Sequence, residues 1–253
     1  MPENREPLIL AVETGTRAGS VGLARGGEVL SAVLGDASSS HSTDLIDNIE
    51  RVLRKGNAKL FDVDLFAVTV GPGSFTGLRI GLATVKAFAV CVQRPCAAVS
   101  TLAAVAHAAG DSETTVSILP AGRGEVYAQA FSVRGEIVQA LDGASHIKPS
   151  ELVERYGKVR TIRLAGEGAH QHIETFRQCA VEHRLEFGEG ESAGAHQAGW
   201  SLAPQPEYLA NSVAALALSD YRDGKATDAR ELRANYVRAS DAEIHERWLQ
   251  QNS

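Results

Sequence analysis

The sequence predicts an α/β protein in two subdomains: a mixed sheet with helices on its faces, then a smaller α/β unit. Three observations carry this. The 253 residues are 44% hydrophobic and 22% charged, the mix of a chain that buries a core of its own. Through the first half, strand and helix patterns alternate in the order β-β-β-α-β-α-β-α. A polar, turn-rich stretch at Gly110-Asp111-Ser112 then separates that half from a second run of strands and helices.

Leu8 to Val12 is an unbroken apolar run, the pattern of a strand buried on both faces. Ser20 to Ala24 and Glu28 to Val33 read as short strands around the glycine turn Arg25-Gly26-Gly27, so the chain opens on a three-stranded antiparallel meander. In Thr43 to Lys55 the residues Leu45, Ile46, Ile49, Val52 and Leu53 share one helical stripe, with Ser42 or Thr43 as cap and Gly56 as stop. Val63 to Val70 is a strand, Phe75 to Val92 a helix, Ala97 to Val99 a strand, and Thr101 to Ala109 a helix capped by Ser100 or Thr101.

Beyond the polar stretch, strands are expected at Val116 to Leu119, Glu125 to Val133, Glu136 to Ala140 and Arg160 to Ala165. Helices are expected at Ser150 to Tyr156, near Ala169 to Val181, and at Pro206 to Arg222, with Gly188 to Gly199 as a loop. This order matches the ribonuclease-H-like module of the actin-like ATPase (ASKHA) fold, found in actin and sugar kinases; such a fold hosts many functions. The expected division is residues 1–109, joined by the helix near 206–223, then 110–205, then a C-terminal tail over 224–253.

Several classes are disfavoured. A net charge of −6 argues against a large nucleic-acid footprint of the chain's own. Cys91, Cys96 and Cys179 are an odd number without a C-x-x-C pair, which suits a reducing compartment. The apolar runs fall short of the roughly 20 residues that span a bilayer. Polar residues Met1 to Pro7 lead into only five apolar ones, too few for a signal peptide; the expected setting is the cytoplasm, away from membranes.

The most informative segment is Val70-Gly71-Pro72-Gly73-Ser74-Phe75-Thr76-Gly77-Leu78-Arg79-Ile80-Gly81, a strand, a glycine loop and a helix start. Gly71, Gly73 and Ser74 could meet an anion at the helix N-terminus, or could form a tight turn that sets the helix on the sheet. No Gly-Lys-Ser/Thr follows, so it is not a P-loop. Pro72 and Thr76 stand where a serine elbow needs glycines, so Ser74 or Thr76 reads as a helix cap. Glu13-Thr14-Gly15-Thr16 closes the first strand. Glu13, Thr14 and Thr16 are the candidate metal and phosphate contacts, although a lone carboxylate is a thin metal site and a turn cap is the better reading of Glu13. His41, His107, His146, His170, His172, His183, His196 and His245 include no pair spaced for one helix face, and solvent exposure is their expected state. No catalytic constellation and no metal site is expected. The mixed charges after Arg222 read as a solvated surface.

The helix from Phe75 is apolar on more sides than a sheet can cover. Its surplus needs a cover, from this chain or from a partner.

On the segment from Gly71 to Gly81 the chain resembles the TsaB (YeaZ) family. Support comes from Leu10 to Thr16, Ser20 to Leu23, His41, Val99 to Leu102, Gly124 to Tyr127 and Tyr236 to Arg238. Departures are Glu13 where the family has Asp, Gly15 where it has Ala, and Pro120-Ala121-Gly122-Arg123 where it has Asp-Ala-Arg-Arg. The resemblance implies a non-catalytic scaffold for making N6-threonylcarbamoyladenosine at position 37 of tRNAs reading codons that start with A. It implies pairing with the catalytic paralogue TsaD through N-terminal-domain helices, joined by a TsaE-like ATPase and tRNA, with a homodimer through the same surface. Leu45, Ile49, Val52, Leu78, Leu82, Val85 and Ala89 are the expected interface or near-interface positions. No firmly bound cofactor is expected, with ATP or ADP and Mg at or near the partner interface as the candidate ligands. The other readings are a Mg-nucleotide enzyme of the actin-like fold, using Glu13, Thr14 and the Gly71 to Gly77 loop, and a peptidase. The failed serine elbow and the missing metal pair speak against the peptidase.

Overall fold

The computed structural model describes residues 5–38, 41–190 and 199–237. Most of the expected loop at Gly188 to Gly199, the tail beyond residue 237 with Arg238, and His196 and His245 lie outside those residues. The first unit runs β1 (Leu8–Glu13), β2 (Ser20–Arg25), β3 (Glu28–Leu34), α1 (His41–Lys55), β4 (Leu65–Gly71), α2 (Phe75–Val92), β5 (Cys96–Ser100) and α3 (Thr101–Ala108). Its five strands form one sheet in the order β3-β2-β1-β4-β5, antiparallel through β3, β2 and β1 and parallel from β1 to β5. This is the mixed sheet of the actin-like fold class, and the predicted element order holds throughout it. Ser74 and Ser100 cap α2 and α3, their side chains accepting from Gly77 N and Ala103 N.

The second unit runs β6 (Ser112–Gly122), β7 (Glu125–Arg134), β8 (Ile137–Ala140), β9 (Ser145–Ile147), α4 (Pro149–Tyr156), β10 (Ile162–Ala165), α5 (Glu167–Gln171), α6 (Ile173–Glu182), β11 (Glu186–Glu189) and β12 (Gly199–Leu202). Its sheet has the order β11-β12-β10-β6-β7-β8, with β9 paired to β7. The helix expected near Ala169 to Val181 is two helices that meet at His172. The strands β9, β11 and β12, three or four residues each, are too short for periodicity to mark.

The last helix, α7 (Leu209–Arg222), packs on β1 and β2 and against α3. Together α3 and α7 form the layer between the two sheets. The inner face of β1, Ile9 and Ala11, shares a cluster with both helices, while Leu8, Leu10 and Val12 face α1 and α2. Burial on both faces is why β1 reads as unbroken apolar sequence.

Two expectations change here. The stretch after Arg222 is not simply a solvated surface: its charged side chains are exposed, but Ala229 and Leu232 are buried in the α1–α2 core. The described histidine side chains are mostly half-buried and partnered. His107 Nδ1 lies 3.0 Å from Ser212 Oγ, His146 Nε2 lies 2.9 Å from Glu125 Oε2, and His170 Nε2 lies 2.9 Å from the Ala203 carbonyl.

His107 joins α3 to α7, and burial holds its pKa below the ordinary 6.5 against the opposing pull of Glu136 and Asp111. The folded state therefore keeps the ring neutral where the unfolded chain would protonate it. Stability contributed by this group is complete above about pH 6.5 and is lost as pH falls below it. Urea midpoints at pH 7.5 and 5.5 are expected to fall further for the native chain than for His107→Asn, and equal falls would remove His107 as the cause.

Candidate functional site

The residues first read as anion contacts converge at the carboxyl ends of β1 and β4, but mainly on one another. Glu13 is buried, and its Oε1 accepts from Gly15 N at 2.6 Å and Thr16 N at 2.8 Å. Its Oε2 accepts from Thr16 Oγ1 at 2.7 Å, and that hydroxyl also accepts from Gly19 N at 3.3 Å. Thr14 N donates to Thr69 Oγ1, and Thr14 Oγ1 lies against Gly81, where a Cβ would stand 2.2 Å away. The second loop locks onto the first. Ser74 N donates to the Gly15 carbonyl at 2.8 Å, and a Cβ on Gly73 would stand 2.3 Å from that oxygen. A Cβ on Gly71 would meet the Asn235 carbonyl at 2.6 Å. The glycines serve close backbone approach, the reading of this loop as a structurally demanding turn.

Beside these turns, between the two sheets, lies a cleft. One hollow of about 480 Å³ is lined by Gly15, Thr16, Arg17, Ser74, Thr76 and Glu167 among others. An adjoining hollow of about 330 Å³ reaches Glu13, Gly166 and Pro206. Its position, outside the carboxyl ends of the strands, is where open α/β sheets bind ligands. The fold class implies Mg-nucleotide there, and the donor set does not fit it. The one carboxylate at the end of β1 is engaged by its own turn, as are Gly15 N and Thr16 N. Among the described residues no group of three His, Cys, Asp or Glu stands close enough to hold a metal.

The second feature is α2. The seven expected interface residues all turn inward. Leu45, Ile49, Val52, Leu82, Val85 and Ala89 belong to the core between the sheet and α1–α2, and Leu78 is 1% exposed. This corrects the assignment: side chains that fill the chain's own core are not free to meet a partner. Leu78, Leu82, Val85 and Ala89 recur at spacings of four and three, which is the stripe β4 covers.

A second stripe, with the same spacing and offset by two residues, faces outward: Thr76, Ile80, Ala83, Ala87 and Val90. Ile80 is half-buried, the others are exposed, and Val90 reaches 62%. Helical periodicity contained this stripe; what it lacked was which face the sheet takes. Composition and length would let α2 cross a membrane, but its inner stripe is seated on β4, as in a core helix.

Residues 226–236 run as a strap from the C-terminal end of α2 to its start. Cys96 and Thr227 exchange both backbone hydrogen bonds at 2.8 Å, and Asn235 N donates to the Val70 carbonyl at 2.7 Å. The Tyr236 ring lies 5.1 Å from Phe75, the Arg79 guanidinium stands 3.8 Å over Phe75, and Arg79 Nε donates to the Tyr236 hydroxyl at 3.2 Å. Among the described residues, own-chain cover thus extends to one flank of α2 and leaves the outward stripe open.

The family model described as TsaD, tRNA N6-adenosine threonylcarbamoyltransferase, matches residues 35–220. The "tRNA threonylcarbamoyladenosine biosynthesis protein TsaB" of Escherichia coli is 33% identical over 122 residues, 47% of this chain and 52% of that one, so the match spans about half the relative's length. The solved structure of YeaZ from Pseudomonas aeruginosa superposes with a TM-score of 0.72 at 23% identity, over 91% of this chain and 99% of that one. The activator of 2-hydroxyisocaproyl-CoA dehydratase from Clostridium difficile, solved with bound ADPNP, reaches a TM-score of 0.52 at 11% identity, over 90% of this chain and 99% of that one. These two structures speak to the fold alone. With the family model matched over most of its length and TsaB among its relatives, the chain belongs to the TsaB/YeaZ branch of the tRNA threonylcarbamoyltransferase family.

Proposed function

We propose that this chain is a non-catalytic subunit of tRNA N6-threonylcarbamoyladenosine synthesis that works by pairing with a TsaD-like protein through the outward face of α2. The observation that carries this is the stripe of Thr76, Ala83, Ala87 and Val90, exposed among the described residues, with Ile80 half-buried in the same row. Four-three spacing is the register in which two helices interdigitate. The small side chains at Ala83 and Ala87 let a partner helix approach closely, and a helix of the paralogue with the same stripe would complete the bundle. A TsaE-like ATPase and tRNA would join through that complex, in the cytoplasm, and a homodimer would use the same face.

Cys91 gives a direct test, because it borders this stripe and is exposed. Cys96 is buried, and burial with the Asp228 charge pushes its thiol up to about 11; Cys179 is buried and raised by the same first cause. At pH 8 maleimide is expected to modify Cys91 first in the lone chain. Adding a TsaD-like partner is expected to slow that reaction at least tenfold. An unchanged rate within a complex that co-elutes would place the interface elsewhere, and no co-elution would remove the pairing.

A further inference from the structure

We infer that Glu13 is a built-in anion: its carboxylate fills the seat that the β1–β2 turn would otherwise offer to a phosphate, and it closes the cleft to nucleotide. The turn presents three donors to one point, Gly15 N–H, Thr16 N–H and the Thr16 hydroxyl, and all three reach the Glu13 carboxylate at 2.6 to 2.8 Å. Converging backbone N–H groups of this kind make an anion nest. Short bonds to an ionised acceptor are the strong class. Glu13 is 1% exposed, and a carboxylate that deep is tolerated because it is so fully bonded.

The Glu13 carboxylate folds back over residues two and three ahead of it. A phosphate entering the cleft would have to displace this group or sit against it, and two anions in contact away from bulk water repel strongly. Two donors of the facing loop are already engaged. Ser74 N is bonded to the Gly15 carbonyl, and Gly77 N is bonded to Ser74 Oγ at 3.2 Å. The inference is independent of the partner reading, since it concerns the cleft and not the outer face of α2.

The consequence runs opposite to that of a metal-binding carboxylate. Removing Glu13 should create an anion site rather than destroy one. Calorimetry of the native chain with Mg-ATP, ADP and inorganic phosphate is expected to give no binding heat. Glu13→Ala is expected to melt below the native chain in buffer without anions. Phosphate at about ten times its dissociation constant should then raise its Tm by roughly 3–5 °C, with no rise for the native chain. Glu13→Gln, which keeps the seat filled by a neutral group, should gain no such response. Should Glu13→Ala fail to fold, Glu13→Ser leaves the seat open with a short hydroxyl to hold the turn, and the same rise is expected of it. Native binding of Mg-ATP that Glu13→Ala abolishes would overturn the inference. So would a folded Glu13→Ala or Glu13→Ser that ignores phosphate.

Discussion

Ala83→Arg is expected to weaken association with a TsaD-like partner by at least roughly 100-fold while leaving the lone chain folded. Ala83 is exposed at the centre of the outward stripe of α2. In solution a guanidinium there stays hydrated, so the Tm of the isolated chain should be nearly unchanged. In a close helix pair it would be desolvated without a counter-charge, and an uncompensated buried charge costs about 3–5 kcal/mol, which exceeds the 2.7 kcal/mol or so of a 100-fold loss. Val85→Asp, two residues on, should behave in the reverse way. Val85 is fully buried against the sheet, so its carboxylate would have no water and no partner. Loss of more than about 4 kcal/mol of stability is expected, seen as aggregation or a collapsed Tm rather than as a specific binding defect. Calorimetric affinity and Tm for the two variants separate the faces. If Ala83→Arg binds like the native chain, the outward stripe is not the interface.

That contrast shows where the sequence was legible. Strand β1 and helices α1, α2 and α3 were readable because each is long or strongly patterned, and because Ser74 and Ser100 mark helix starts by ordinary capping chemistry. The surplus apolarity of α2 was readable too. Its orientation was not. Leu78, Leu82, Val85 and Ala89 form one four-three stripe, Thr76, Ile80, Ala83, Ala87 and Val90 form another, and periodicity treats them alike. The larger side chains go to the sheet because they bury more apolar area, and that rule assigns the faces once both stripes are written out.

The strap over residues 226–236 was hidden for a different reason. It has no regular structure and is held by two buried apolar side chains, a pair of edge hydrogen bonds to Cys96 and an aromatic contact to Phe75. All of these are pairings across more than a hundred residues, which no local pattern records. The cleft was half legible. A turn cap was the better reading of Glu13, but that the capping donors converge as an anion seat depends on the fold of the turn.

Gly73→Ala is expected to cost about 2–4 kcal/mol, a fall in Tm of roughly 10 °C, because it forces apart two turns that touch backbone to backbone. The added Cβ would stand 2.3 Å from the Gly15 carbonyl oxygen and 2.9 Å from Gly15 Cα. No side chain can move aside to relieve this, since the three nearest obstructing atoms are all main chain of Gly15. Relief requires the β4–α2 loop to withdraw from the β1–β2 turn. That strains one loop or the other, at about 1–3 kcal/mol, and lengthens the Ser74 N bond to the same carbonyl, worth about 1 kcal/mol more. Gly27→Ala is the control. It lies in the hairpin between β2 and β3, its Cβ would meet nothing within 4 Å, and a change within about 0.5 kcal/mol of native is expected there. The comparison bears on function because α2 starts at this loop. If the glycines serve close packing, Gly73→Ala loses stability and its partner affinity falls only through the displaced start of α2. If they served a ligand, the variant would keep its Tm and lose binding instead. Thermal melts beside partner titrations of the two variants distinguish the outcomes.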